Sequence, residues 1–390
     1  MTTGAGVSLT QVESVDDVRE VMHESIARNE PLRIQGAATW TNAGPLIESG
    51  RTLSLASLTG IIEYVPGDLT ITAWAGTSLA ELSHATAAHG QWLGMDPAGD
   101  RAGTIGATIA TASSGPLSHA FGTPRDLVLG LSAVTGYGDV IRAGGRVVKN
   151  VAGFDLVRLY TGSWGTLGAI TSVTLRLRAL PVHDVTLAIA IDSDAHFAAL
   201  LNSLRQNTVS LLACEWIDGA TAQSLGASDG HDALLVRLGG NDAFVRGQGA
   251  VLDGIATTRV CDAIVWSHLA QLDRAASAVV RISGDVRALP SRVARIRGAA
   301  VTAGAALGAT RVTMHGSVHR GVVRIVVSGD AAPLRAMLRH TAPGEQRVAE
   351  RLPDAWWSHE ADAFDTPLGR RIRTAFDPQS LCNRRQVADA

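Results

Sequence analysis

The stretch MDPAGDRAGTIGATIATASSGPLSHAFG, residues 95–122, consists mostly of glycine, alanine, serine and threonine. It therefore offers few large side chains from which a hydrophobic core could be built. Glycine has no Cβ atom, so it allows the backbone to approach another group closely. We expect this stretch to lie against a ligand or a second backbone.

A second small-residue loop, QGAAT at residues 35–39, follows the apolar strand candidate LRIQG. Its counterpart in the opening stretch is GTIGA at residues 103–107, which begins a predicted helix. Two such loops can present backbone N–H groups to a pyrophosphate from two sides, with a helix N-terminus as a further positive end. Either loop alone is explained more simply as a tight turn, so the prediction depends on the pair.

The sequence lacks the two common phosphate-loop patterns. No GxxxxGK[ST] stretch is present, and no GxGxxG joins a first strand to a helix with an acidic residue about 20 positions later. The missing patterns argue against an ordinary P-loop or Rossmann protein.

Composition predicts a two-domain cytoplasmic protein. The chain has 390 residues, of which 46% are hydrophobic and 18% charged, and this length exceeds that of most single domains. A net charge of −2 gives no overall attraction to nucleic acid or anionic lipid. No apolar run reaches the roughly 18–20 residues of a membrane span, and the N-terminus lacks a signal-peptide pattern.

Three cysteines, Cys214, Cys261 and Cys382, are widely separated and form no metal-binding motif. We predict buried free thiols and no iron–sulfur cluster held by this chain.

Local patterns divide the chain into three parts. Ser14 is a predicted helix cap, residues 136–139 a hairpin turn, and residues 194–206 a helix. The sequence pattern changes at Pro181. After this residue strand-like runs alternate with helices, which is typical of an α+β domain with an antiparallel sheet. We predict a first domain at 1–181, a second at 182–330 and a C-terminal segment at 331–390.

The order of motifs resembles a known family. LRIQG, GDLTITAWAGTSLAEL, GTIGATIATASSG, FGTPRDLVLG and KNVAGFDLVRLYTGSWGTLGAIT follow one another as in the FAD-binding domain of the vanillyl-alcohol oxidase and p-cresol methylhydroxylase superfamily. Within it, the chain is most similar to the FAD-binding subunit of bacterial glycolate oxidase. The resemblance implies a two-lobed FAD-binding domain, an α+β cap domain, and a C-terminal segment that returns toward the FAD domain.

The resemblance also implies which residues hold FAD. Both loops would bind the pyrophosphate, the later small residues would run beside the isoalloxazine, and GTLGAIT would lie near the adenine and ribose. The implied cofactor-binding residues are Gln35, Gly36, Ala37, Ala38, Thr39, Pro97, Gly103, Thr104, Ile105, Gly106, Ala107, Ser113, Ser114, Gly115, Gly122, Gly165, Gly168 and Ile170.

Two departures from the family are informative. Relatives with covalent flavin often carry a histidine in the first loop, where this chain has Ala37, Ala38 and Thr39, so we predict non-covalent FAD. Related hydroxy-acid dehydrogenases hold a metal near the flavin with a His-rich motif. The counterpart here, MHGSVH with His315 and His319, is flanked by strand-like runs and has no acidic third ligand nearby. We therefore predict no metal and interpret both histidines as turn residues beside a sheet.

Catalytic candidates are few: Arg281, His315 and His319. Arg281 fits either a bidentate contact to a substrate carboxylate or a surface ion pair. Trp356 and Trp357 fit either core packing or a subunit contact. Asn383-Arg384-Arg385 stands where relatives have Asn-Pro-Gly and a basic residue, which puts the flavin contact of that loop in question.

The resemblance implies a FAD-dependent oxidoreductase that converts a 2-hydroxy acid to a 2-oxo acid. Its partners would be a larger FAD subunit and an iron–sulfur subunit, through which it could associate with a membrane. Two alternatives remain open: a stand-alone dehydrogenase of another small hydroxy acid or alcohol, and a non-catalytic subunit that keeps the flavin fold. Lys149, the only lysine, precedes the GFDL turn, where it would brace that turn or contact flavin or substrate.

Overall fold

The structure is a computed structural model that describes residues 8–40, 43–44, 47–48, 50–145, 155–273, 276–302, 311–338, 342–359 and 366–385. Lys149, Gly153 and Phe154 lie outside the described residues. The chain combines helices with three sheets, two of them mainly antiparallel, which confirms the predicted α+β class.

The first half contains two small sheets. Its elements are β1 (Ser8–Gln11), α1 (Val15–Arg28), β2 (Leu32–Gln35), β3 (Arg51–Ser54), β4 (Ile61–Val65), β5 (Thr70–Trp74), α2 (Leu79–Ala87), β6 (Gln91–Leu93), α3 (Ile105–Thr111), α4 (Ser118–Phe121), α5 (Pro124–Leu127), β7 (Val128–Thr135), β8 (Val140–Gly144), α6 (Leu156–Tyr160) and β9 (Gly168–Ala179). Strands β1, β3 and β2 form a parallel sheet in that order. The second sheet has the antiparallel order β4-β5-β9-β7-β8, with β6 beside β9.

Local sequence signals explain several of these boundaries. The side chain of Ser14 accepts a hydrogen bond from the backbone of Asp17, whose carboxylate in turn accepts one from the backbone of Ser14, so α1 begins with the predicted cap. Strands β7 and β8 pair as the predicted hairpin. On α1, Val18 and Met22 are buried together with Leu53 of β3, so the helix covers the parallel sheet.

The middle of the chain forms one large sheet. Its elements are β10 (His183–Ile191), α7 (Asp194–Gln206), β11 (Ala213–Ile217), α8 (Gly219–Ser224), β12 (Asp232–Gly240), α9 (Asp242–Ile255), β13 (Arg259–Cys261), α10 (Ile264–Ala270), β14 (Ala278–Ser283), α11 (Leu289–Thr302), β15 (Arg311–Ser317) and β16 (Val322–Ser328). We call this region the cap. Strand β11 pairs with β15, which lies much later in the chain, so the sheet order does not follow the sequence.

The two faces of the cap sheet differ in chemistry. Cys214 and Trp216 on β11 point into an apolar core that also contains buried residues of α7, α9 and α11. Side chains alternate along a strand, so Glu215 points to the opposite face. That face carries the polar side chains considered below.

The tail returns to the first half of the chain. Its elements are α12 (Ala332–Leu338), β17 (Gln346–Arg351) and α13 (Pro367–Phe376). Strand β17 extends the cap sheet beside β14. Beyond α13, the backbone of Leu32 donates to the carbonyl of Leu381 at 2.8 Å, and Cys382 pairs with Leu32 as a parallel bridge.

The structure also tests the predictions for the cysteines, the tryptophan pair and membrane-spanning helices. The three cysteines are free thiols, as predicted; Cys214 and Cys382 are buried, but the prediction of burial is wrong for Cys261, which is only partly buried at the end of strand β13. Trp356 and Trp357 are partly buried against the cap core, and the Arg335 guanidinium lies 4.2 Å from the ring centre of Trp356. Among the described residues, no helix combines the length and the apolar character required to cross a bilayer.

Candidate functional site

A cleft runs between the two small sheets of the first half. It brings together the first loop, the second loop, the turn before β9 and the tail. The predicted site residues that line it are Gln35, Gly36, Ala37, Ala38, Thr39, Pro97, Gly103, Thr104, Gly106, Ala107, Ser113, Gly165, Gly168 and Ile170.

The first loop offers free backbone donors. Ala37, Ala38 and Thr39 donate no backbone hydrogen bond to any other described residue. Ala38 has a φ of 56°, in the left-handed region. Successive N–H groups in such a turn form a concave site suited to an anion.

The second loop is arranged differently from the expectation. The N–H of Ile105 donates to the carbonyl of Thr77, and that of Gly106 to the carbonyl of Ala75, both at 2.9 Å. These N–H groups are used in hydrogen bonds within the protein, because α3 packs directly on the turn that follows β5. The second loop therefore shapes the cleft wall, while free N–H groups come from the first loop.

Asn383 ties the tail to the cleft. Its side-chain oxygen accepts from the backbone of Ile34 at 2.6 Å, and its side-chain nitrogen donates to the carbonyl of Trp164 at 2.7 Å. Asn383 and Arg385 both line the cleft although the family's Pro and Gly are missing. Sequence reasoning did not identify Trp164 and Trp40, whose stacked rings face the cleft with centres 6.0 Å apart.

Four predicted residues lie outside the cleft lining. Ile105 is buried in the hydrophobic core. Gly115 packs against Asp96, and Gly122 against Asp126. Ser114 lies at the boundary with the cap, where its hydroxyl accepts a hydrogen bond from Arg320 at 2.6 Å.

Near this boundary the cap sheet presents a polar face, which we define as Glu215, Arg281, His315, Ser317, Arg324 and Glu350. Register brings these residues together: Glu215 pairs with Ser317, His315 with Arg324, and Arg324 with Arg281. Sequence reasoning missed Glu215, Ser317, Arg324 and Glu350. The one available signal was a lone acidic residue inside the apolar run LLACEWI.

The polar face carries two arginines and two glutamates, and Arg320 of the adjoining turn adds a third guanidinium group. Arg324 pairs with Glu350, with Nε 2.7 Å from Oε2, and Arg281 lies 3.6 Å from the same carboxylate. Arg320, in the turn between β15 and β16, has no carboxylate partner among the described residues. Burial lowers the pKa of Arg320, and the nearby Arg281 lowers it further. Three guanidinium groups thus lie near the carboxyl groups of Glu350 and Glu215, and Asp273 also acts on Arg324.

Burial sets the charge of the other titratable groups. It raises the pKa of Glu215 to about 8 and that of Asp96, which follows β6, to about 7. Burial lowers the pKa of His315 to about 3 and that of His319 to about 4, so both imidazoles are neutral at pH 7.

The structure places one of the two histidines differently from the prediction. His315 is a buried strand residue on the polar face, whereas His319 is in the turn, as predicted. The interpretation of His315 as a turn residue was wrong because β15 continues through Ser317. Among the described residues, no group of three or more His, Cys, Asp or Glu is arranged to hold a metal ion.

Comparison with known proteins identifies the ligand of the cleft. The family model described as FAD binding domain matches residues 8–144. The chain contains an FAD-binding domain of the p-cresol methylhydroxylase type. The free N–H groups of the first loop fit the FAD pyrophosphate, and the glycine-lined walls allow close backbone approach, so the residues present suit this cofactor.

Two curated relatives match parts of the chain. It is 38% identical over 164 residues to the glycolate oxidase subunit GlcE of Escherichia coli, covering 42% of this chain and 46% of that one. It is 28% identical over 255 residues to the mitochondrial D-lactate dehydrogenase (cytochrome) of Arabidopsis thaliana, covering 63% and 44%. The chain spans less than half the length of both relatives.

A solved structure matches nearly the whole fold. The 4-ethylphenol oxidase from Gulosibacter chungangensis superposes with a TM-score of 0.73 over 96% of this chain and 88% of the other. Its sequence identity is 14%, so the match concerns the fold alone.

Proposed function

We propose that this protein is an FAD-dependent oxidoreductase that converts a small 2-hydroxy acid to the 2-oxo acid. The observation that carries the proposal is the group of three arginines, Arg281, Arg320 and Arg324, of which Arg320 contacts Ser114, the neighbour of the cleft-lining Ser113. A partly desolvated cationic cluster favours a small anion over a neutral alcohol. The names of the relatives, a glycolate oxidase subunit and a D-lactate dehydrogenase, support the same substrate class.

Each part of the site has a separate task. Bound FAD supplies the two-electron acceptor. The first loop and the cleft walls hold the cofactor, and Arg320 with its neighbours binds the carboxylate. Arg320 is the best placed of the three arginines, because Glu350 already neutralises much of the charge on Arg281 and Arg324.

We further propose that the chain works as one flavoprotein subunit beside a larger FAD subunit and an iron–sulfur subunit. The name of the E. coli relative, a glycolate oxidase subunit, supports this arrangement. Anaerobic addition of glycolate or D-lactate to the purified chain separates the alternatives. Bleaching of the flavin would indicate a stand-alone enzyme, bound but inert flavin a subunit that requires its partners, and absent flavin a structural subunit.

Replacing Arg320 with glutamine is expected to weaken substrate binding. A hydrogen bond to a charged group contributes about 1.5–3 kcal/mol, so the substrate concentration for half-maximal flavin reduction should rise roughly tenfold to a hundredfold. Arg246→Gln, which breaks an exposed ion pair on α9, is the matched control and should have no effect. An unchanged concentration dependence in Arg320→Gln would contradict the carboxylate assignment.

The FAD is expected to be non-covalent, because residues 37–39 contain no histidine. Precipitation with acid should release all the yellow colour into the supernatant. Flavin absorbance that remains with the washed pellet would show a covalent bond.

A further inference from the structure

A line of hydrogen bonds crosses from the cap to the FAD domain. Glu215 lies opposite Ser317 on the paired strands β11 and β15, and its carboxyl group interacts with the Ser317 hydroxyl. The Ser317 hydroxyl lies 2.9 Å from Nδ1 of His319, and Nε2 of His319 lies 3.4 Å from the Ser118 hydroxyl of α4. The line therefore joins a buried carboxyl group, 4% exposed, to an imidazole that is partly exposed.

The available donors and acceptors fix the direction of this line. The Ser118 hydroxyl donates to the carbonyl of Gly115 at 2.6 Å, so it accepts from Nε2–H of His319. Nδ1 of the neutral ring is then an acceptor and takes the hydrogen of Ser317. The Ser317 oxygen is left to accept from Glu215, which it can do only when that carboxyl group carries a proton.

The surroundings of Glu215 agree with a proton held there. Asp96 faces it from the segment after β6, Arg320 from the β15–β16 turn and Arg324 from β16, while its partner on β12 is the apolar Leu235. Burial, with a smaller contribution from Asp96, raises the pKa of Glu215 to about 8, although Ser317, Arg324 and Arg320 act to lower it. Loss of this proton would require Ser317 to reverse its hydroxyl toward Glu215 and His319 to change tautomer.

We propose that Glu215 accepts the hydroxyl proton of the 2-hydroxy acid and that Ser317 and His319 conduct it to solvent. The inference rests on the proposed function. Bound FAD would supply the acceptor for the carbon-bound hydrogen and its two electrons. The hydroxyl proton passes to the Glu215 carboxylate as the C–O bond becomes a carbonyl, and this one proton per turnover is released through His319.

The position of Glu215 favours this role over simple packing. A carboxyl group buried in a strand lowers stability unless it is well paired. Glu215 interacts with Arg320 and Arg324, which are proposed to bind the substrate carboxylate, and lies opposite Ser317, the first residue of the path. Because the proton acceptor must be ionised, the reaction rate should rise with pH through about 8.

The first test measures flavin reduction by a 2-hydroxy acid in anaerobic stopped flow from pH 6 to pH 9.5. The wild-type rate should rise with an apparent pKa near 8. Glu215→Gln keeps the shape of the side chain, and we expect its rate to fall about a hundredfold and to lose this pH dependence, while the half-saturating concentration changes little. Glu20→Gln on the exposed face of α1 is the matched control. A Glu215→Gln protein with the wild-type rate and pH profile would overturn the proposal.

The second test does not depend on activity. Infrared difference spectra between pH 7 and pH 9 should show loss of a protonated carboxyl C=O band, and this band should be missing in Glu215→Gln. Ser317→Ala should keep the band but slow flavin reduction at pH 7, because it interrupts the path. If no hydroxy acid reduces wild-type flavin either in the chain alone or in the presence of the proposed partner subunits, the proposed function fails; missing titration of the band shows separately that the proton path is wrong.

Discussion

Replacing Gly106 with alanine is expected to yield protein that lacks most of its FAD. A Cβ atom there would lie 2.6 Å from the Cβ of Ala75 and 2.9 Å from its carbonyl oxygen, closer than packed atoms come. Both residues line the cleft, so relieving the clash moves α3 away from the turn after β5 and distorts a cleft wall. Overpacking costs about 1–3 kcal/mol, which corresponds to a loss of affinity of roughly tenfold to a hundredfold. Absorbance of the purified protein measures its FAD content, and titration with FAD measures the affinity.

Gly247→Ala is the matched control for this prediction. Gly247 is also a helical glycine, but a Cβ atom added there meets nothing within 4 Å. Alanine favours a helix by about 1 kcal/mol relative to glycine, so this variant should be slightly more stable and keep its FAD. Full FAD occupancy in Gly106→Ala would show that the second loop does not determine the shape of the flavin cleft.

The cleft could be predicted because its signals are local. A run of small residues and a helix cap are properties of neighbouring positions, and the sequence identified both loops from them. The hydrogen bonds that occupy the N–H groups of the second loop could not be predicted in the same way. These hydrogen bonds run from Ile105 to the carbonyl of Thr77 and from Gly106 to the carbonyl of Ala75. They form only when α3 packs on the turn after β5.

The polar face could not be predicted from the sequence, for a topological reason. Glu215 on β11 and Ser317 on β15 are separated by about a hundred residues, and they pair only because the sheet order departs from chain order. Alternation within β15 predicts that His315 and Ser317 share a face, but it does not reveal what lies opposite them. The contact of Arg320 with Ser114 likewise appears only when the cap meets the FAD domain.

A buried ion network supports the turn that carries Arg320. Arg292 on α11 is almost fully buried; its Nε donates to Glu345 at 2.7 Å and its Nη1 to the carbonyl of Gly321 at 2.8 Å. Arg295 also donates to Glu345, at 2.6 Å. Burial raises the pKa of Glu345, but hydrogen bonds from Ala342 and the two arginines outweigh it, so the pKa is lowered overall. The stabilisation is therefore present at neutral pH and is lost as pH falls through the lowered pKa.

Replacing Glu345 with glutamine is therefore expected to destabilise the cap strongly. The change leaves the guanidinium of Arg292 buried without its counter-charge, a loss of about 3–5 kcal/mol, which should lower the melting temperature of the cap by roughly 10 °C. Arg246→Gln, which breaks an ion pair whose side chains are 73% and 52% exposed, should change stability by less than about 1 kcal/mol. Thermal unfolding followed by circular dichroism compares the two variants. Because Gly321 follows Arg320 directly, Glu345→Gln should also weaken hydroxy-acid binding at temperatures where the protein remains folded. Equal stability of the two variants would mean that the network is not needed to hold this turn.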